Sequence, residues 1–296
     1  MTATLAERLS AEHRRGLDRV RRAARFLLAA RDRSLPELAE IRNFHFEGAA
    51  GPLPARLYAP HGAETPGPLL VYFHGGGFVL SDLDTHDALC ARLAHAGKIR
   101  VVSCRYRLAP EAPFPAQRDD ALAAARWMRE HAGRLGADPE RLALGGDSAG
   151  GYLAVATAAR LNAERPGTVR AQVLIYPLLT LEDDAWASSV LHDTRIVGRL
   201  AVIYIRAQLA RAHAPSLLAT FPGSAPPTVL MAGGALDPCR PDARDYAALL
   251  AGAGVACEER YYEGQMHGFA NLTHVSAVAR EAVAETGRLA GRLLRD

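Results

Sequence analysis

The sequence predicts an α/β fold: an eight-stranded, mostly parallel sheet flanked by helices and topped by a helical cap. Three observations carry this. Short apolar runs at 69–73, 99–103, 142–145, 173–176 and 228–232 read as strands buried on both faces. Helical stretches at 85–96, 117–132, 148–163 and 243–251 alternate with those runs, the order of βαβ units and therefore of a parallel sheet. Segment 180–222 breaks the rhythm, being too long for an ordinary connection.

The elements follow in chain order. Residues 4–33 carry Leu5, Leu9, Leu17, Val20, Ala24, Leu27 and Leu28 at near-helical spacing with charges between, which predicts one or two amphipathic helices. Segments 41–46 and 55–59 read as an antiparallel pair ahead of the main sheet. Segment 258–262 is the last strand and 275–294 a closing helix. Within 180–222, a helical run at 197–209 carries Ile203, Tyr204 and Ile205, as an insertion over one end of the sheet would. The expected organisation is an N-terminal helical segment at 1–40, an inserted segment at 180–222, and one α/β domain made of 41–179 and 223–296.

Composition narrows the class. The 35 basic and 32 acidic residues give a net charge of +3, too balanced for nucleic-acid binding, and no basic stripe interleaves with aromatics. Cys90, Cys104, Cys239 and Cys257 form no C-x-x-C pair and read as small buried hydrophobes in a reducing compartment. The run 26–30 is bounded by Arg25 and Arg31, unlike a signal peptide, and Glu7, Glu12 and Asp18 do not suit a transit peptide. No run approaches the roughly 18 apolar residues of a membrane span, so the expectation is a cytoplasmic protein.

Two glycine-rich motifs carry the chemistry. Gly146-Asp147-Ser148-Ala149-Gly150 stands where the strand at 142–145 meets the helix from 148. A sharp turn there pushes a serine hydroxyl out over the sheet end, and the flanking glycines leave room for it. The following helix aims its first N–H groups at the same spot. His74-Gly75-Gly76-Gly77 follows directly on the strand at 69–73. Its backbone can approach a carbonyl closely, so Gly75 and Gly76 are expected as oxyanion donors, with Gly77 the alternative candidate and Ala149 supplying another N–H. No Gly-Lys-Ser/Thr follows, which excludes a P-loop. His74 reads as structural.

A serine needs a base, and the base needs an orienting acid. Asp237 follows the strand at 228–232 and His267 the strand at 258–262, both where loops leave the carboxyl ends of parallel strands. The order Ser148, Asp237, His267 is that of a nucleophile-elbow hydrolase. Asp242 is the competing acid. His192, His213 and His274 fall in the insertion or by the last helix and are weaker candidates for the base.

With these residues in place, the chain resembles the bacterial hormone-sensitive-lipase-like carboxylesterases of the α/β-hydrolase superfamily, in the branch with Asp before the nucleophile. The resemblance runs from about His45 to Phe269. It rests on His74-Gly75-Gly76-Gly77-Phe78, Asp82-Leu83-Asp84-Thr85-His86-Asp87, Tyr106-Arg107-Leu108-Ala109-Pro110-Glu111 and Pro113-Phe114-Pro115-Ala116. It continues through Gly146-Asp147-Ser148-Ala149-Gly150-Gly151, Asp237-Pro238 and His267-Gly268-Phe269. The resemblance implies a Ser148/Asp237/His267 triad, no metal, no cofactor, and hydrolysis of short- to medium-chain esters; it also implies a homodimer. It makes segments 1–40 and 180–222 a cap, with Phe78, Trp186, Ile203 and Tyr204 as candidates to line the pocket. Glu111 is expected in a buried ion pair, and Asp147 as an orienting residue for the elbow. Two departures stand out: Ser81 where the family often has Gly, and Cys239-Arg240-Pro241-Asp242-Ala243 where it often has Leu-Arg-Asp-Glu after Asp-Pro. Met266 also stands one place later than the family's Met. Fold and triad leave the substrate open, so lactones, amides or carbamates are alternatives, and a receptor-like non-enzyme is a third.

Overall fold

The computed structural model describes residues 15–23, 25–26, 35–180, 216–221 and 223–295. Its strands are β1 (Glu40–Gly48), β2 (Gly51–Ala59), β3 (Gly67–Phe73), β4 (Arg100–Cys104), β5 (Ala137–Asp147), β6 (Ala171–Ile175), β7 (Thr228–Gly233) and β8 (Cys257–Tyr262). Its helices are α1 (Asp87–Gly97), α2 (Ala116–Glu130), α3 (Ala149–Glu164), α4 (Arg240–Gly252) and α5 (Ala277–Leu293), with a further helical turn pair at 15–23. The eight strands lie in one sheet in the order β1-β2-β4-β3-β5-β6-β7-β8. β2 pairs antiparallel with both β1 and β4, and every pairing from β4 to β8 is parallel.

Alternation along the strands divides the core. Leu69, Val71 and Phe73 of β3 face α2, α3 and α4, whereas Leu70 and Tyr72 face α1 and α5. Both faces are therefore dry, which is why β3 reads as a continuous apolar run rather than an alternating one. Burying each such Leu or Val contributes about 1.5–3 kcal/mol, so the sheet is a rigid platform for the loops at its ends.

The strand order explains where a site belongs. From β3 the chain moves outward to β4, then crosses back so that β5 lies on the other side of β3. The loops leaving β3 and β5 therefore diverge, opening a crevice at their carboxyl ends. Phe73 pairs with Gly146 in register, which sets His74-Gly75-Gly76-Gly77 beside Ser148. Among the described residues no helix is long and apolar enough to cross a membrane.

Candidate active site

β5 ends at Asp147 and α3 begins at Ala149, leaving Ser148 alone in the turn with φ 53° and ψ −118°. A non-glycine residue there carries strain of order 1–3 kcal/mol, so surrounding structure must hold it. The Ser148 N–H donates to the Ile175 carbonyl at 3.0 Å, and the Ser148 carbonyl accepts from Leu178 at 3.0 Å and Tyr152 at 3.3 Å. Gly146 and Gly150 face one another across the turn against the Phe73 carbonyl, and a Cβ on either would collide with that backbone.

Two later loops bring in the partners. His267 Nε2 lies 2.9 Å from Ser148 Oγ, and its Nδ1 lies 2.8 Å from Asp237 Oδ1. A carboxylate only accepts, so Nδ1 carries the proton and Nε2 is free to accept one from the serine. The imidazole rests on the Tyr176 ring, with centroids 4.7 Å apart. Asp237 is 2% exposed. Its Oδ2 accepts the Gly233 N–H at 2.9 Å and its Oδ1 the Cys239 N–H at 3.0 Å. Burial alone would raise its pKa; the hydrogen bond and charge of His267 and the two backbone N–H groups outweigh burial and hold it below the usual carboxylate range.

The oxyanion expectations divide. The N–H groups of Gly76, Gly77 and Ala149 have no hydrogen-bond partner among the described residues, and Ala149 opens the N-terminus of α3. Gly76 has φ 104° and its carbonyl accepts from Val79 at 3.1 Å and Leu80 at 2.8 Å, which fixes the direction of the loop. Gly75 is a correction to the sequence reading: its N–H donates to Asp147 Oδ1 at 2.9 Å, so it is already spent. The preceding aspartate was read as an orienting residue, but its reach to Gly75 depends on the β3–β5 pairing, which adjacent letters do not reveal.

Asp147 gathers several loops at once. Besides Gly75 it accepts from the Tyr72 hydroxyl at 3.0 Å and from Asn271 Nδ2 at 3.3 Å, and it lies 3.0 Å from His86 Nε2. Burial would raise its pKa, yet the neighbouring His86, the Tyr72 hydroxyl and the Gly75 N–H together keep it lowered. His86 and Asn271 are functional neighbours that sequence reasoning passed over. His86 lies inside the quoted Asp82–Asp87 block, and Asn271 follows His267 by one turn of chain.

The remaining expectations are placed as follows. His74 is buried and stacked on Tyr106, with centroids 4.3 Å apart, and takes no part in the Ser148–His267–Asp237 chain. Burial, then the neighbouring His86, pushes its imidazole down to about 4. Asp242 is buried away from the chain of three, and accepts the Leu179 and Thr180 N–H groups at 2.6 and 2.7 Å where the connection enters 180–222. Burial pushes its carboxyl up to about 6. Phe78 is 2% exposed and packs edge-on against Tyr152 and Phe114. Trp186, Ile203 and Tyr204 lie outside the described residues. Glu111 is paired, but not buried: its side chain is 47% exposed and meets Arg21 of the N-terminal segment at 2.7 Å. The loop bearing it lies at the surface, where only a distant segment could supply a partner. Among the described residues, Asp237, Cys239 and His267 are the one group whose ligand atoms stand close enough to share a metal ion.

This arrangement can do nucleophilic acyl transfer, and the chain is similar to known esterases. A family model for the alpha/beta hydrolase fold matches residues 70–271. The chain is 38% identical to carboxylic ester hydrolase LipN of Mycobacterium tuberculosis, over 79% of its own length and 65% of LipN's. It thus spans slightly less than two thirds of that relative. It is 37% identical to esterase LipI of the same organism, over 90% of its own length and 85% of LipI's. In structure it is similar to the esterase of Pyrobaculum calidifontis in its monoclinic form, with a TM-score of 0.84, 32% identity, and coverage of 93% and 92% of the two chains.

Proposed function

The chain belongs to the α/β-hydrolase fold family, among its hormone-sensitive-lipase-like esterases, and on that premise we propose that it cleaves short- to medium-chain carboxylic esters through an acyl-enzyme on Ser148. The observation that carries this reading is the continuous hydrogen-bond chain Ser148 Oγ, His267, Asp237 at 2.9 and 2.8 Å.

Ser148 Oγ attacks the ester carbonyl while His267 Nε2 takes its proton. Charge moves to the carbonyl oxygen, where the N–H groups of Gly76, Gly77 and Ala149 meet it. Each such donor contributes about 3–4 kcal/mol to the transition state. Asp237 holds the imidazole in the right tautomer and stabilises the imidazolium. The tetrahedral intermediate expels the alkoxide, which leaves as the alcohol with the proton from His267. Water then attacks the acyl-enzyme with His267 as base, releasing the acid and restoring Ser148. The cap expected at 1–40 and 180–222 lies largely outside the described residues.

The test is Ser148→Ala assayed on p-nitrophenyl butyrate, together with labelling by a fluorophosphonate probe. Loss of turnover and of the covalent adduct, with an unchanged melting curve, is the expected result. Full activity in that variant would sink the mechanism. An acyl-chain-length series on the unaltered protein tests the substrate class.

A further inference from the structure

Cys239 stands where the sequence departs from its family, two residues after the acid of the triad. Its side chain is 2% exposed, and no step of the proposed hydrolysis uses the thiol. Yet its Sγ, an Asp237 carboxylate oxygen and a His267 ring nitrogen all lie within 4.8 Å of one another. We propose that these three side chains form an inhibitory site for a thiophilic divalent cation of the Zn²⁺ or Cd²⁺ class. The inference rests on the triad reading, and it adds a mode of regulation to that site.

Geometry and ligand chemistry support it. Zn²⁺ bonds of about 2.3 Å to sulfur and 2.0–2.1 Å to nitrogen place tetrahedral ligand atoms roughly 3.3–3.7 Å apart. The Asp237–His267 contact of 2.8 Å must open slightly, and the sulfur, within 4.8 Å of both, must close by at most about 1.5 Å, within side-chain rotation. A thiolate, an imidazole and one carboxylate, with a fourth position left for water, select Zn²⁺ or Cd²⁺ over Mg²⁺ and Ca²⁺, which want oxygen donors. The His267 side chain is 20% exposed, so the group is not wholly sealed from solvent.

Inhibition follows from the proton inventory. The metal takes His267 Nδ1, the nitrogen turned towards Asp237. The single proton of the neutral imidazole then resides on Nε2, and the thiol proton passes to solvent. Nε2 becomes a donor to Ser148 Oγ and can no longer accept its proton. The metal-bound enzyme is therefore locked in the wrong tautomer, and a chelator reverses the lock. A leucine at 239, as the family often carries, removes the soft ligand.

The experiment uses the purified full chain, stripped with chelator, and CdCl2 and ZnCl2 as probes. Cadmium binding is read from the ultraviolet charge-transfer band of a cadmium–thiolate bond and from equilibrium dialysis. The expected result is one Cd²⁺ per chain and the band in the unaltered protein and in Ser148→Ala, with both lost in Cys239→Leu and binding lost in His267→Gln. The Zn²⁺ concentration that halves each protein's own metal-free rate should rise about tenfold or more in Cys239→Leu. Cys257→Ser should leave both readouts as they are. Should the leucine variant misfold, Cys239→Ala and the His267→Gln dialysis carry the test. Equal Zn²⁺ sensitivity with and without Cys239, absence of the band, or equal inhibition by MgCl2 overturns the site. An active Ser148→Ala overturns the triad reading while leaving the band untouched, so the two failures are distinguishable.

Discussion

Asp147 Oδ1 accepts the Gly75 N–H at 2.9 Å, binding the loop after β3 to the residue before Ser148. The same carboxylate holds His86 and Asn271, so one buried charge sets the distance between the loop after β3, Ser148 and the chain carrying His267. Asp147→Ala takes the carboxylate acceptor away from the buried Gly75 N–H and His86 ring, a loss of about 3–5 kcal/mol in stability. Misplacing the loop by about an ångström should lower kcat some 10²-fold in protein that still folds. Melting curves and steady-state kinetics at a temperature well below the lowered midpoint check both.

The donors for the oxyanion can be told apart by backbone NMR. After inactivation with a phosphonate, the amide resonances of Gly76, Gly77 and Ala149 should move downfield. Gly75, already bonded to Asp147, should hold its position. A large shift at Gly75 with none at Gly77 would restore the assignment expected from the motif alone.

Stability should respond to pH in two opposed ways. Asp147 and Asp237 are both held below the usual carboxylate range. Their contribution is present above the unfolded-chain value of about 3.9 and is lost as pH falls through their lower folded values. Asp242 is raised to about 6, so the folded state binds its proton more tightly than the unfolded chain. Its contribution therefore falls as pH rises from about 4 to about 6. Asp242→Asn should remove that fall, a gain of roughly 2–3 kcal/mol above pH 7 that vanishes below pH 4. Thermal melts of the two proteins from pH 3 to 8 measure the difference.

Arg21 clamps the N-terminal segment to the oxyanion side of the molecule. It donates to the Val79 and Ala109 carbonyls, each at 2.9 Å, and to both oxygens of Glu111. The Glu111 side chain is half exposed, so Glu111→Gln should cost under about 1 kcal/mol. Arg21→Ala also strips the two carbonyls and should cost about 1–3 kcal/mol. Limited proteolysis should cut near residues 15–26 sooner in Arg21→Ala than in Glu111→Gln.

Much of this was legible in the letters. The continuous apolar runs predicted β3 to β7, because strands buried on both faces must be continuously apolar, and the helical intervals between those runs predicted their parallel order. The elbow, the glycine loop, and the order of Ser148, Asp237 and His267 were readable because each has a local signature at a strand end. The Arg21–Glu111 pair was not, because its partners are 90 residues apart and meet only at the surface.

By itself, then, the sequence determined the strand and helix pattern, the esterase family, and the three residues, Ser148, Asp237 and His267, that we propose as the triad. Tertiary structure alone decided which glycine N–H groups stay free among the described residues and that one carboxylate ties three loops together. It also brought the thiol of Cys239 within reach of the triad's imidazole. The physical reason is that a hydrogen bond spends a donor only once. Which acceptor reaches Gly75 first depends on the register of β3 against β5, which no run of neighbouring residues encodes.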